Sequence, residues 1–154
     1  MKLINYSQTP KFGKDFKKLL KRFRTLEEDF KTMKESEIEI YHLKKGETNA
    51  VVPMQEFCGQ DYLSMKVKKM ACKSLKGKGN RSGLRVTYVF EQKENKITFI
   101  EMYYKSDQEN ESRERLSAFI EKIDNIKITK HLSHTNHFKQ LPLRTAVCRA
   151  EISK

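Results

Sequence analysis

The chain has 154 residues, a formal net charge of +12 at pH 7 and an isoelectric point near 9.6. This length suits one domain, or one domain with an appendage, and the charge predicts an acidic partner: nucleic acid, a membrane surface or an acidic protein. The three cysteines are odd in number and lack metal-ligand spacing, which argues against a disulfide framework and indicates a reducing, cytoplasmic compartment. No apolar stretch reaches membrane-spanning length and no signal peptide follows Met1. We therefore predict a soluble protein and expect no membrane partner.

The first third of the chain predicts a short strand followed by two helices. Residues 2–8 suit a strand. Thr9 and Pro10 suit the cap and the first position of a helix over residues 10–23, where apolar side chains recur at helical spacing. A Thr-Leu-Glu-Glu capping box starts a second helix, predicted for residues 25–41, and the short link between the two makes them an antiparallel hairpin.

The middle of the chain predicts three successive antiparallel strands. Residues 44–60 indicate an irregular connection over one end of the sheet, and residues 62–75 alternate as a strand does. Two further strands, residues 84–91 and 96–104, form a hairpin because apolar and aromatic residues alternate on both sides of a polar loop. That loop ends at Asn95, a residue type that tolerates positive φ.

The C-terminal part predicts one more helix. Residues 106–109 fit a second capping box, and an apolar stripe continues to Ile123. The element order is therefore β-α-α-β-β-β-α, an α+β fold. In it an antiparallel β-sheet meander carries the N-terminal helical hairpin on one face, basic side chains on the other, and a C-terminal helix. We predict one domain over residues 1–123 and a C-terminal extension over residues 124–154.

Familiar catalytic and cofactor motifs are missing from the sequence. It contains no P-loop, no dinucleotide fingerprint and no HExxH motif. His131, His134 and His137 recur every third residue, but no cysteine or carboxylate stands at ligand spacing beside them. We therefore expect no metal and no small-molecule cofactor.

The positive charge is concentrated between Asp61 and Glu91, a stretch without any acidic residue. Such a run predicts an anion-binding face rather than an ordinary solvated surface. Bases stack on aromatic rings while lysines and arginines hold phosphates, so we expect this face to bind RNA. The RNA-binding candidates are Lys73, Lys76, Lys78, Arg81, Tyr103 and Tyr104. Because Tyr103 and Tyr104 are successive strand residues, at most one of them is available to a ligand.

Three stretches resemble parts of one protein family. FGKDFKKLLKRFRTLEEDF resembles a basic first helix and the start of the second; KSLKGKGNRSGLRVTYVF resembles a turn followed by a G-x-R-V-x-Y strand; ITFIEMYYKSDQENESRERL resembles a last strand that ends in Tyr-x-Lys before the final helix. In this order they resemble the RelE/ParE superfamily of bacterial type II toxins. The resemblance covers about residues 3–123.

The resemblance implies a toxin of a bacterial type II toxin–antitoxin system that acts as a ribosome-dependent mRNA endoribonuclease. Its partners would be a cognate antitoxin, the ribosome and mRNA. Cleavage within RNA by the 2′-OH needs a base, stabilisation of the charged pentavalent state and an acid, which clustered cations can supply. The implied catalytic residues are Lys66, Lys68, Lys69, Arg85 and Lys105.

Two alternatives stay open. One is the ParE-like branch of the superfamily, whose members inhibit DNA gyrase and cleave no RNA; the other is a non-catalytic RNA-binding protein of the same fold. The basic run favours an RNA face over the gyrase reading. Two positions depart from the family pattern: Ser106 replaces an arginine, and the place of a catalytic tyrosine falls among Glu111, Ser112 and Arg113.

Overall fold

A computed structural model describes residues 3–134, and Cys148, His137 and most of the predicted extension lie outside that range. The chain divides into two compact units, Met1–Ile120 and Glu121–Lys154, while the predicted boundary after residue 123 stays a prediction. The elements are β1 (Asn5–Gln8), α1 (Pro10–Arg22), α2 (Leu26–Met33), a π-helical turn (Lys34–Ile38), α3 (Glu39–Leu43), β2 (Val51–Pro53), a 3-10 turn (Gln55–Phe57), β3 (Tyr62–Val67), β4 (Leu84–Glu91), β5 (Lys96–Tyr104) and α4 (Arg113–His134). Among residues 3–134, no helix is long and apolar enough to cross a membrane.

The α+β prediction is confirmed. One five-stranded sheet has the strand order β1-β5-β4-β3-β2, and β3, β4 and β5 form the expected antiparallel meander. The hairpin loop between β4 and β5 places Asn95 at φ +50°, as its residue type predicts. The sheet is mixed rather than wholly antiparallel, because β1 pairs with β5 in parallel. That pairing satisfies the edge of β5, and no local pattern in the sequence announces it.

The strand predicted for residues 62–75 is shorter than expected, and the connection before it contains a strand. β3 ends at Val67, after which Met70 and Cys72 turn inward from a loop and are 1% and 3% exposed. Those two side chains gain more burial in the core than an extended strand would give them. Before β3, Val51–Pro53 forms β2 and pairs antiparallel with β3, within a stretch predicted to be irregular.

The helices follow the predicted layout with one interruption. In α1, the Thr9 side chain accepts a hydrogen bond from the Phe12 amide at 3.2 Å, and Phe12 is fully buried. The single helix predicted for residues 25–41 is broken by the π-helical turn. This wider turn brings Met33 and Ile38, five positions apart, to the same buried side.

The face of β3–β5 opposite α1 and α2, here called the second face, is largely buried. Thr87 and Ile100 are 0% and 1% exposed, and Glu101 is 3% exposed. The prediction of an open basic face is therefore wrong for most of this surface. The C-terminal helix also begins later than predicted, at Arg113 rather than near Ser106, because the preceding segment hydrogen-bonds to Glu101 instead of coiling.

Candidate functional site

A lysine and a glutamate form a buried ion pair on the second face. Lys66 lies on β3, opposite Thr87 of β4. Its Nζ donates a hydrogen bond to Oε2 of Glu111 at 2.6 Å, and the two side chains are only 16% and 15% exposed. Because water screens this pair little, the interaction is stronger than that of an exposed ion pair.

Tyr103 donates to the same carboxylate oxygen. Its hydroxyl lies 3.1 Å from Oε2 of Glu111, and the residue is 5% exposed. Burial raises the pKa of Tyr103, and the neighbouring Glu111 raises it further, so the phenol keeps its proton and acts as a donor. Burial, the largest single influence, opposes ionisation of Glu111, but the hydrogen bonds from Lys66, Tyr103 and the backbone together with the Lys66 charge outweigh it and hold the pKa of Glu111 below its usual value.

Arg85 completes the group. It lies directly opposite Tyr103 in the β4–β5 register, and its guanidinium donates to the Leu84 carbonyl at 3.1 Å. Its positive charge acts on Tyr103 by lowering the pKa of the phenol, in opposition to burial. We call these four residues, Lys66, Arg85, Tyr103 and Glu111, the Glu111 cluster.

A second glutamate positions the segment that carries Glu111. Glu101 of β5 accepts hydrogen bonds from the Gln108 side chain at 2.8 Å and from the Ser112 amide at 2.7 Å. Arg115, at the start of α4, reaches the same carboxylate at 3.5 Å and also pairs with Asp15 of α1 at 2.8 Å. Gln108 and Ser112, which precede and follow Glu111 in the sequence, are therefore both anchored by Glu101.

The sequence prediction missed both glutamates, although each leaves a signal. Glu101 is a single acid between apolar residues of a predicted strand, a pattern that indicates a buried charge with partners. Glu111 follows Asp107 and Glu109 in an acidic stretch, opposite in sign to the cations between Asp61 and Glu91. Charge complementarity between the two stretches predicts that they meet.

Three predicted catalytic residues lie at the rim of the second face. Lys68 and Lys69 are exposed just beyond the end of β3, and the Lys68 amide donates to the Ala50 carbonyl at 2.7 Å. Lys105 is exposed just beyond β5, where its amide donates to the Gly83 carbonyl at 2.9 Å. This bond continues the ladder, so Lys105 follows Tyr103 on the same side of the sheet.

The glycine-rich loop between β3 and β4 presents the remaining predicted cations. Lys73, Lys76, Lys78 and Arg81 are all exposed. Gly77 and Gly79 adopt φ of +80° and +49°, a region that glycine enters without strain.

Two polar side chains from the helical layer hold this loop. Buried Asp29 accepts the Lys73 amide at 3.0 Å, and the Thr25 hydroxyl accepts the Ser74 amide at 2.9 Å. Thr25 was predicted to cap α2, but its side chain makes no capping bond there and ties down the loop instead. The exposed lysines and arginine thus extend from a loop whose backbone is held by hydrogen bonds.

Neither predicted stacking tyrosine offers a free ring. Tyr103 is buried in the Glu111 cluster. Tyr104 faces the other side, where it meets Phe23 edge-on at 5.3 Å and lies 5.2 Å from the Arg22 guanidinium. The two tyrosines do lie on opposite faces, as their succession along the strand predicts.

No other feature of the described residues competes with this site. A surface depression of about 330 Å³ lies between α1 and α2, but its lining, Gln8, Phe16, Glu27, Phe30, Lys31 and Lys34, includes no predicted site residue. Within residues 3–134, no group of histidine, cysteine and acidic side chains is placed to hold a metal ion.

Comparison with known proteins adds no assignment. The chain matches no protein-family model, no curated protein and no solved structure. The relation to the RelE/ParE superfamily therefore stays a prediction that rests on the three sequence stretches.

Proposed function

We propose that the protein is the toxin of a bacterial type II toxin–antitoxin system and cleaves mRNA on the ribosome, in the cytoplasm, until a cognate antitoxin restrains it. One observation carries the proposal. Lys66, Arg85 and Tyr103 lie on one face of the meander, with Lys68, Lys69 and Lys105 at its rim. Such a group of donors suits a phosphodiester.

The chemistry is attack of a ribose 2′-OH on the adjacent phosphate. A lysine in its neutral amine form, Lys66 or one of the rim residues Lys68 and Lys69, accepts the 2′-OH proton. Arg85 binds the phosphate through two parallel hydrogen bonds and stabilises its added charge. As the bond between phosphorus and the 5′ oxygen breaks, another lysine in its ammonium form, for which Lys105 lies at the rim, donates a proton to the leaving 5′ oxygen.

The exposed loop cations give the RNA its path to this face. Lysines and arginines that hold phosphates release counterions, so binding through them weakens steeply with salt and reads no sequence. In this proposal the ribosome positions the mRNA relative to the toxin, and the basic loop contributes affinity for the RNA.

A second candidate, a non-catalytic RNA-binding protein, is favoured by one observation. The ammonium of Lys66 is engaged by Glu111 at 2.6 Å, and an engaged lysine is a poor base. The two candidates differ in whether RNA is cut, which an experiment in cells decides.

The test compares the wild-type protein with Arg85→Ala after induction in bacterial cells, with RNA 5′ ends mapped and DNA supercoiling assayed in parallel. We expect growth arrest and new 5′ ends within messages for the wild type, and neither for Arg85→Ala. Lys93→Ala is the matched control, because it removes a cation from the far end of the same hairpin. Toxicity that Arg85→Ala retains would reject the site, and altered supercoiling without RNA cuts would favour the gyrase reading.

A further inference from the structure

Glu111 occupies a position built for an anion. Two donors, Lys66 Nζ and the Tyr103 hydroxyl, meet on one of its oxygens at 2.6 and 3.1 Å, and the Arg85 strand position lies directly opposite Tyr103. An ammonium, a phenol and a guanidinium are also the groups that bind the non-bridging oxygens of a phosphodiester. A carboxylate resembles those oxygens in charge and in hydrogen-bonding capacity.

The segment that delivers Glu111 is held by hydrogen bonds of individual residues and not by regular secondary structure. Residues 105–112 contain no helix or strand. An ion pair between Arg22 and Asp107 and another between Arg113 and Glu56 flank them, and these four side chains are 46% to 71% exposed, so both pairs contribute little. The less exposed attachments are the hydrogen bonds to Glu101, those that Glu111 itself makes, and those from the amides of Asp107 and Gln108 to the Tyr104 carbonyl.

We propose that Lys66, Tyr103 and Arg85 form a phosphate-binding site for RNA and that Glu111 fills it in the free protein as an internal competitor. This inference rests on the proposed function and deepens it, because it names the group that RNA must displace. Release of Glu111 frees Lys66 for contact with the RNA. The free protein is accordingly in a restrained state.

An internal competitor makes a quantitative prediction for Glu111→Gln. The amide keeps the size and one acceptor oxygen of Glu111, so Lys66 and Tyr103 retain a partner, but the charge that competes with phosphate is lost. Hydrogen bonds to charged acceptors are roughly twice as strong as neutral ones. We expect RNA and phosphate to bind about tenfold more tightly.

The binding experiment uses two probes on the full chain. The first is a 2′-O-methyl oligoribonucleotide of about ten nucleotides, which spans a typical single-strand site and lacks the attacking 2′-OH. The second is inorganic phosphate, followed by the NMR shift of the Ser112 amide beside Glu111. Glu111→Gln should gain affinity for both probes, and Lys66→Met added to it should remove the gain.

Two further variants separate the site from general charge effects. Glu109→Gln removes an equal charge from the same exposed stretch and should bind both probes like the wild type. Glu111→Asp keeps the net charge but draws the carboxylate back by one methylene, so it should gain affinity in part. It also decides the question if Glu111→Gln does not fold.

Each other outcome has a defined meaning. Equal gains in affinity for the probes in Glu111→Gln and Glu109→Gln would overturn the inference. No gain in affinity in either Glu111 variant would overturn it as well. Slower RNA cleavage by Glu111→Gln with unchanged binding would overturn it too, since Glu111 would then be a catalytic group. Failure of every variant to bind the oligonucleotide would reject the proposed function instead, while the phosphate titration still decides the site.

Discussion

At the scale of single residues, burial sets the protonation states of His42 and Tyr88. His42 of α3 lies with its Nε2 2.8 Å from the Tyr88 hydroxyl, and its ring stands 4.2 Å from that of Phe90. Burial lowers the pKa of His42 from about 6.5 to about 4. Burial raises the pKa of fully buried Tyr88, so the phenol donates and the neutral imidazole accepts.

This pair predicts a pH dependence of stability. In the unfolded chain His42 gains a proton below pH 6.5, whereas the folded protein resists until about pH 4. The contribution of neutral His42 to the free energy of unfolding is therefore complete above pH 6.5 and is lost as the pH falls from 6.5 towards 4. We expect a loss of about 1 kcal/mol between pH 7 and pH 5, because partial exposure reduces the full effect.

Urea denaturation across this pH range checks the prediction, with His42→Gln as the comparison. Glutamine offers an acceptor to the Tyr88 hydroxyl but does not titrate, so its stability should change less between pH 7 and pH 5. If the unfolding free energies of the wild type and of His42→Gln changed equally with pH, His42 would not be the cause of the pH dependence.

Glu101 supports a second prediction at this scale. It is 3% exposed and accepts bonds from Ser112, Gln108 and Arg115. Glu101→Ala leaves those donors without their partner, so we expect unfolding free energy to fall by about 3 kcal/mol. Glu94→Ala, in the exposed hairpin loop, should stay within about 0.5 kcal/mol of wild type. Similar values for both in urea denaturation would contradict the role given to Glu101.

At the scale of elements, the glycine-rich loop is rigid where it is attached and exposed where its charges are. Asp29 and Thr25 hold the amides of Lys73 and Ser74, and the Ser82 hydroxyl donates to the Met70 carbonyl. Gly77 and Gly79 supply the turn between these attachments. The loop thus belongs to the helical layer as much as to the sheet that it connects.

This attachment predicts different results for two neighbouring acids. Asp29→Ala should cost about 2 kcal/mol, because the Lys73 amide loses its buried acceptor, and it should speed hydrogen exchange at Lys73 and Ser74. Glu28→Ala is the control: it only removes a 3.4 Å pair with Lys73 Nζ whose side chains are 67% and 75% exposed. Equal exchange rates in both variants would mean that Asp29 does not hold the loop.

At the scale of the whole molecule, exposed cations lie on α1 and on the glycine-rich loop. The exposed side of α1 carries lysines and an arginine, and Thr25, three residues after α1 ends, contacts Ser74 of the basic loop. Acidic side chains in this region are engaged: Asp15 pairs with Arg115, and Asp107 pairs with Arg22. Within the described residues, these exposed cations therefore form a basic surface that extends from the loop to α1.

That surface predicts the salt dependence of RNA binding. Each phosphate contact contributes about −0.7 to the slope of log affinity against log salt for a single strand. Lys76→Gln combined with Lys78→Gln should make the slope shallower by about 1.4. Lys93→Gln, at the far end of the β4–β5 hairpin, should leave it unchanged. Equal slopes for all three proteins in fluorescence anisotropy titrations would exclude the loop from the RNA path.

The sequence by itself determined the elements whose signals are local. The β4–β5 hairpin follows from alternation of side chains, its turn from the tolerance of Asn95 for positive φ, and the start of α1 from Thr9 and Pro10. These preferences act between residues a few positions apart, so they hold before any tertiary contact forms. The assignment of Lys66 and Arg85 to a site also came from the chain alone, from a stretch without acids and a family resemblance, and it stays a prediction.

Only the tertiary structure decided where local preferences met a distant competitor. A capping box near Ser106 predicts a helix start, but buried Glu101 binds the Gln108 side chain and the Ser112 amide, and the helix begins at Arg113. The parallel pairing of β1 with β5 and the ion pair between Lys66 and Glu111 also join distant parts of the chain. Burial strengthens such contacts by excluding water, and burial is a property of the assembled fold rather than of any stretch of sequence.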